Sequence, residues 1–187
     1  MHRNAETNRG FTLIELLMTL SISLILLSIS LPSMGTLLSS TESRGARQDL
    51  WTALNVARAG AVTSHRRNVI CPSTDRSICT GGLRWDAGWI VFIDNNENNL
   101  RDADDKVISI GNPLQRGVVI TSTVGREKAG FRTDGSSAGD NVTLTICDRR
   151  GAANATSLVV SNPGRIRSGV PTPAAAAATC ALISRGS

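Results

Sequence analysis

GFTLIELLMTLSISLILLSISLP, from Gly10 to Pro32, is the stretch that decides how this chain folds. Between Phe11 and Leu31 the only charged residue is Glu15. A run of about 20 such residues is long enough to cross a bilayer as a helix. The residues before it, MHRNAETNR, are polar and include Arg3 and Arg9. A cleaved secretory signal, with Ser28 and Ser30 as small residues at the cleavage site, or a plain anchor would be the simplest reading. Glu15 argues against both, because a carboxylate inside a membrane helix costs about 2.5 kcal/mol or more. Pro32 ends the apolar run and is expected to kink or interrupt the helix. Beyond it, Leu50, Leu54, Ala57 and Ala61 recur at helical spacing. They predict an amphipathic helix that continues to about Arg66, with its apolar face laid on a sheet.

The hexapeptide Gly10-Phe11-Thr12-Leu13-Ile14-Glu15 resembles the G-F-T-L-I-E signature of type IV prepilins. The resemblance implies that a prepilin peptidase cuts after Gly10, that Phe11 becomes a methylated N-terminus, and that Glu15 aligns subunits in a growing filament. A buried carboxylate becomes tolerable where a neighbouring subunit's N-terminal ammonium pairs with it. The implied organisation is a leader at 1–10, a transmembrane and filament-core helix at 11–32, and a globular domain at 33–187. The implied partners are the prepilin peptidase, other major and minor pilins, and the inner membrane before assembly. The globular domain then lies in the periplasm or at the cell surface in a pilus.

Composition limits what that domain does. The 187 residues carry a formal charge of +5, which suits an anionic partner. Tyrosine is absent, and Trp51, Trp85, Trp89, Phe11, Phe92 and Phe131 are the only aromatic residues, too few for a row of stacking rings. Residues 94–105 hold Asp94, Glu97, Asp102, Asp104 and Asp105, whereas the chain after Arg150 holds Arg165, Arg167 and Arg185 and no acid. The four cysteines all follow the apolar run, as expected for disulfides in an oxidising compartment. Free thiols and a zinc site are the other readings, and no C-x-x-C pair supports zinc. Four cysteines allow three pairings. Sequence proximity suggests Cys71–Cys79 and Cys147–Cys180.

From Asn68 onward short β-rich runs alternate with turn dipeptides: 68–71, 89–93, 106–110, 117–122, 141–147 and 157–161. One long helix followed by strands predicts an α+β domain with an antiparallel sheet. Pro171 to Cys180, PTPAAAAATC, reads as an extended tail tied down by its cysteine. Gly88-Trp89-Ile90-Val91-Phe92-Ile93-Asp94, the Asn/Asp-rich loop behind it, and Ile146-Cys147-Asp148 resemble the FimT/GspH family of minor pilins and pseudopilins.

Three constellations bear on chemistry. Asp94, Asn96, Asn98, Asp102 and Asp105 fall at positions 1, 3, 5, 9 and 12 of an EF-hand spacing, but Asn99 replaces the glycine and Asp105 the bidentate Glu. A solvated hairpin loop is the expected reading, with no metal. Gly135-Ser136-Ser137-Ala138-Gly139 has the G-x-S-x-G form of a nucleophile elbow, yet a strand-like run follows where a helix is needed. His65, beside Arg66 and Arg67, is the only histidine outside the leader. The chain therefore reads as a non-enzyme without a cofactor, and a hydrolase using Ser137 is the enzymatic rival.

The third constellation is Gly164-Arg165-Ile166-Arg167. Strand alternation puts both arginines on one face with Ile166 turned inward. A pair about 6.6 Å apart suits neighbouring phosphates. A pair of solvated edge arginines that discourages aggregation is the plainer reading. The segment is similar to the G-R-x-R motif of FimT proteins that serve DNA uptake. That resemblance implies a DNA-binding minor pilin acting in natural transformation, with Arg165 and Arg167 as contacts and Arg149, Arg150 and Arg185 as auxiliaries. A pseudopilin of type II secretion, or a minor pilin that only primes assembly, is the structural rival.

Overall fold

The computed structural model describes residues 10–183, without the side chains of residues 29–33. The leader up to Arg9 and the auxiliary Arg185 thus lie outside the described residues. The chain divides into two units, Met1–Leu37 and Leu38–Ser187. Helix α1, Leu13–Ser64, is 52 residues long and contributes to both. Pro32 was expected to kink or interrupt it, and the helix is not interrupted there. A proline removes only its own N–H from the ladder, and apolar helices tolerate that loss. His65 closes the helix by adopting φ 52°, the left-handed conformation common at helix C-termini.

In the first unit, Thr12 starts the helix, and its hydroxyl accepts from the Glu15 N–H at 3.3 Å. Every described side chain from Phe11 to Ser28 is exposed. The hydroxyls of Thr19, Ser21, Ser23 and Ser28 donate to carbonyls three or four residues back, so these polar groups are satisfied within the helix. Among the described residues no helix is long and apolar enough to cross a membrane.

Among the described residues the second unit is built on eight strands in two antiparallel sheets. Strands β1 (Arg67–Pro72), β2 (Trp89–Asp94), β3 (Lys106–Gly111) and β5 (Ala129–Phe131) form one sheet, ordered β3-β2-β1-β5. Strands β4 (Val118–Ser122), β6 (Val142–Asp148), β7 (Thr156–Val160) and β8 (Ile166–Gly169) form the other, ordered β4-β6-β7-β8. The later part of α1 buries Ala46, Leu50, Ala53, Leu54, Ala57 and Ala61 in one core with Ile70 and Val91 of the first sheet and Ile120, Leu144, Ile146 and Leu158 of the second. Small residues allow close approach. A Cβ on Gly60 would lie 2.4 Å from the Asn68 side-chain nitrogen. A second cluster, Val69, Cys71, Ile90 and Phe92, is partly covered by Cys79, which is bonded to Cys71.

The tail read as extended is instead a helix, α2, Pro173–Cys180. Thr172 caps it by accepting from the Ala175 N–H, Pro173 opens it, and an alanine run follows. Ala176 and Thr179 are buried, the Thr179 and Thr121 hydroxyls are 2.6 Å apart, and Cys180 is bonded to Cys147. Helix α2 therefore lies against β4 and β6 and is pinned there covalently.

Candidate nucleic-acid interface

The β7–β8 hairpin forms the outer edge of the second sheet, with Ile166 opposite Val160 and Arg167 opposite Val159. Its loop is tight. The Gly164 N–H donates to the Ser161 carbonyl at 2.7 Å, and the Ser161 N–H and hydroxyl both donate to the Arg165 carbonyl. Gly164 adopts φ 75°, and a Cβ there would fall 1.8 Å from the Gly135 carbonyl oxygen, so no other residue fits without a backbone shift. The Ser137 N–H donates to the Asn162 carbonyl, and the Arg58 Nε donates to the Gly135 carbonyl at 3.1 Å. The glycine of G-R-I-R is thus clamped between the 135–137 turn and helix α1.

That clamp fixes Arg165 and Arg167. Ile166 packs against the core, and the two arginines beside it are exposed. Among the described residues neither guanidinium has a hydrogen bond or an ion pair. The nearest acid in the clamping turn, Asp134, is held below the ordinary carboxylate range by the Ser136 hydroxyl and N–H.

The auxiliaries sit at the other end of β6. Asp148 ends that strand, whereas Val142, which begins it, pairs with Val160 beside the hairpin loop. The strand separates them by about 20 Å. Arg150 makes a bidentate pair with the buried Asp148, at 2.9 and 2.7 Å. Burial pushes the Asp148 carboxyl up, and the Arg150 guanidinium and N–H and the Ser43 hydroxyl bring it on balance below its ordinary value. Arg149 packs over Gly117 and donates to the Arg116 carbonyl. Neither auxiliary joins the hairpin pair.

The other constellations are placed as follows. The Ser137 side chain is fully buried and its hydroxyl has no hydrogen-bond partner. In the acidic loop, Asp94 accepts from the Asn98 and Asn99 N–H groups and lies 3.8 Å from Arg67, and Asp105 accepts from the Asn95 and Asp102 N–H groups. Among the described residues no cluster of His, Cys, Asp and Glu is arranged to hold a metal ion. Sequence reading passed over Arg44, Arg47, Trp51 and Arg58 on α1. Their signal was a second helical stripe beside the apolar one.

A long N-terminal helix whose later turns pack on antiparallel sheets is the architecture of the pilin-like class. Residues 46–164 match the family described as Type II transport protein GspH, and residues 7–31 match the prokaryotic N-terminal methylation motif. The chain belongs to the GspH family. The family match ends at Gly164, immediately before Arg165. The type IV minor pilin FimU of Pseudomonas aeruginosa PAO1 shares the fold in two crystal forms. One gives a TM-score of 0.57 at 18% identity, over 75% of this chain and 96% of FimU. The other gives 0.54 at 19% identity, over 73% and 98%. The minor pseudopilin EpsH of the Vibrio cholerae type 2 secretion system gives 0.49 at 12% identity, over 70% and 98%. No curated protein sequence matches the chain.

Proposed function

We propose that the chain is a minor type IV pilin that binds DNA without sequence preference and supports DNA uptake in natural transformation. The observation that carries this reading is the hairpin edge, where two exposed guanidiniums on a clamped loop have no acid partner among the described residues. Alternate residues of a strand lie about 6.6 Å apart, which lets two planar forks engage neighbouring phosphates. Phosphate contacts supply affinity by releasing condensed counterions, and they carry no base information. The protein acts by binding alone, and the buried Ser137 supports a non-enzymatic role.

In this reading the chain enters the inner membrane through Phe11–Leu31, is cut after Gly10 and methylated on Phe11, and joins a filament in which Glu15 meets a neighbour's ammonium. The globular domain then stands at the cell surface.

The test is duplex DNA binding by the full chain in detergent across a salt series. Wild type should lose affinity steeply with salt, and Arg165→Gln or Arg167→Gln should each lower the salt slope by about one on every sequence. Lysine at either position should restore binding only in part, because a point charge lacks the fork. A double glutamine variant that binds like wild type would reduce the arginines to a solvated edge. One observation favours a second reading, a type II secretion pseudopilin: the GspH match covers residues 46–164 and neither arginine. Absence of DNA binding by wild type at low salt would select it.

A further inference from the structure

Helix α1 carries a second charged stripe that the G-R-I-R motif does not explain. Arg44, Arg47, Gln48, Trp51, Asn55 and Arg58 recur at helical spacing. At about 100° per residue they fall within an arc of roughly 100°, on the flank beside the β7–β8 hairpin. Glu42 and Asp49 fall on the other flank and line a depression against the loop between β3 and β4. The helix thus separates its charges, with acids toward β3 and arginines toward β8.

The basic flank forms one wall of a cleft made of two adjoining depressions. Toward the base of the hairpin, Ser43, Arg44 and Arg47 face Arg150, Asn154 and Thr156 across a depression of about 520 Å³. Next to it, sharing Arg47, a smaller one runs between Gln48, Trp51, Leu158 and Ser168. Ser168 follows Arg167 on β8. At the far end, the Arg58 Nε would lie 3.3 Å from a Cβ on Gly164, which adjoins Arg165. Arg150 is matched by Asp148, but among the described residues Arg44 and Arg47 make no hydrogen bond or ion pair. The helix wall therefore carries Arg44 and Arg47, one turn apart and without an acid partner among the described residues, with Arg58 about 16 Å further along, and Arg165 and Arg167 stand beyond the other lip.

From this alignment we infer that the cleft between α1 and β8 is a second phosphate-binding track, so that a nucleic acid strand wraps the β8 edge and is held on both sides of it. The inference rests on the DNA-binding reading above and extends it to residues outside the motif. Arg44 and Arg47 take phosphates on the helix side, and Arg165 and Arg167 take them on the sheet side. Trp51, 39% exposed, lies on the track, whereas Trp85 and Trp89 are buried, so its fluorescence reports occupancy directly.

The experiment titrates a 20-base-pair duplex into the full chain in detergent and follows tryptophan emission, with Trp51→Phe assigning the signal. R44Q/R47Q is expected to raise Kd about tenfold at low salt and to cut the salt slope by about two. Gln48→Arg adds a charge on the same stripe and should tighten binding and steepen the slope by about one, a gain that misfolding does not mimic. If R165Q/R167Q weakens binding while R44Q/R47Q and Gln48→Arg leave it unchanged, the track is refuted and the hairpin reading stands. If wild type binds no duplex, both fall. If R44Q/R47Q binds duplex normally but no longer enters filaments, the cleft is a subunit contact and the inference is wrong.

Discussion

Two hairpin loops of opposite charge use that charge in opposite ways. Between β2 and β3, Asp94 and Asp105 each accept two backbone N–H groups of their own loop, and Asp102 accepts from the side chains of Asn96 and Asn98. Between β7 and β8, Arg165 contributes only its carbonyl to the turn, and its guanidinium and that of Arg167 point outward unpaired. A short acidic side chain beside free N–H groups satisfies itself locally. A long arginine side chain at an edge strand, turned away from the core beside the half-buried Ile166, meets no acid among the described residues. The acidic loop engages three of its five carboxylates internally and leaves Glu97 and Asp104 exposed, whereas the basic loop engages neither guanidinium. Availability, not number, marks a surface for a partner.

The largest effect that would break this contrast comes from the turn that holds the arginines. Gly164→Ala forces a Cβ against the Gly135 carbonyl in a left-handed conformation. It should cost about 3 kcal/mol and lower Tm by about 10 °C. DNA affinity should fall as well, because Arg165 loses its fixed position. An unchanged Tm would mean that the 135–137 turn yields easily and the arginines are not held as described.

A smaller effect sharpens it. Asp94→Asn keeps the shape but weakens two hydrogen bonds to a carboxylate facing Arg67. Thermal denaturation should show a loss of about 2 kcal/mol with DNA binding intact. Arg165→Gln should give the mirror image, a change in stability within about 0.5 kcal/mol with DNA binding reduced. If both variants lose stability alike, the two loops do not differ in the way argued.

Asp148 with Arg150 lies between the extremes, a charge pair that is half surface and half core. The folded carboxyl is held below its ordinary value, so its contribution is present above about pH 4 and is lost as pH falls through the folded value. Asp148→Asn should therefore cost about 1.5 kcal/mol at pH 7 and progressively less as pH falls below about 4, measured as Tm against pH. A cost independent of pH would assign the residue a packing role only.

Periodicity made much of this fold legible. The stripe Leu50, Leu54, Ala57 and Ala61 lies at the core, and all six β-rich runs between turn dipeptides are strands. Strand β5, Ala-Gly-Phe, is too short to alternate, and β8, Ile-Arg-Ser-Gly, has little strand propensity and exists because β7 pairs with it. The distribution of strands over two sheets depends on long-range pairing that no local pattern encodes. Helix α2 was legible in principle, since a threonine cap, a first-turn proline and an alanine run are helix signals, but the prolines drew the reading toward an extended tail. For the candidate interface, the sequence displays the G-R-I-R spacing and hides its support. Arg58 and the 135–137 turn meet Gly164 only in three dimensions.

The smallest expected effect concerns calcium, and it tests the acidic half of the comparison most directly. The EF-hand spacing of the β2–β3 loop would matter if its oxygens faced a common centre. Instead Asp94 and Asp105 are engaged by four backbone N–H groups, Asp102 is engaged by two amide side chains, and Arg67 stands beside Asp94. An incoming cation would have to displace donors that already neutralise these groups, with no bidentate glutamate to repay it. Adding millimolar calcium, or a chelator, should move Tm by less than about 1 °C. A site filled at a hundredfold over its Kd would contribute about 2.7 kcal/mol, or some 5–10 °C in a chain of this size. A rise of that order would show that the loop reorganises around metal, and that its hydrogen bonds are a resting arrangement instead of the use to which the charge is put.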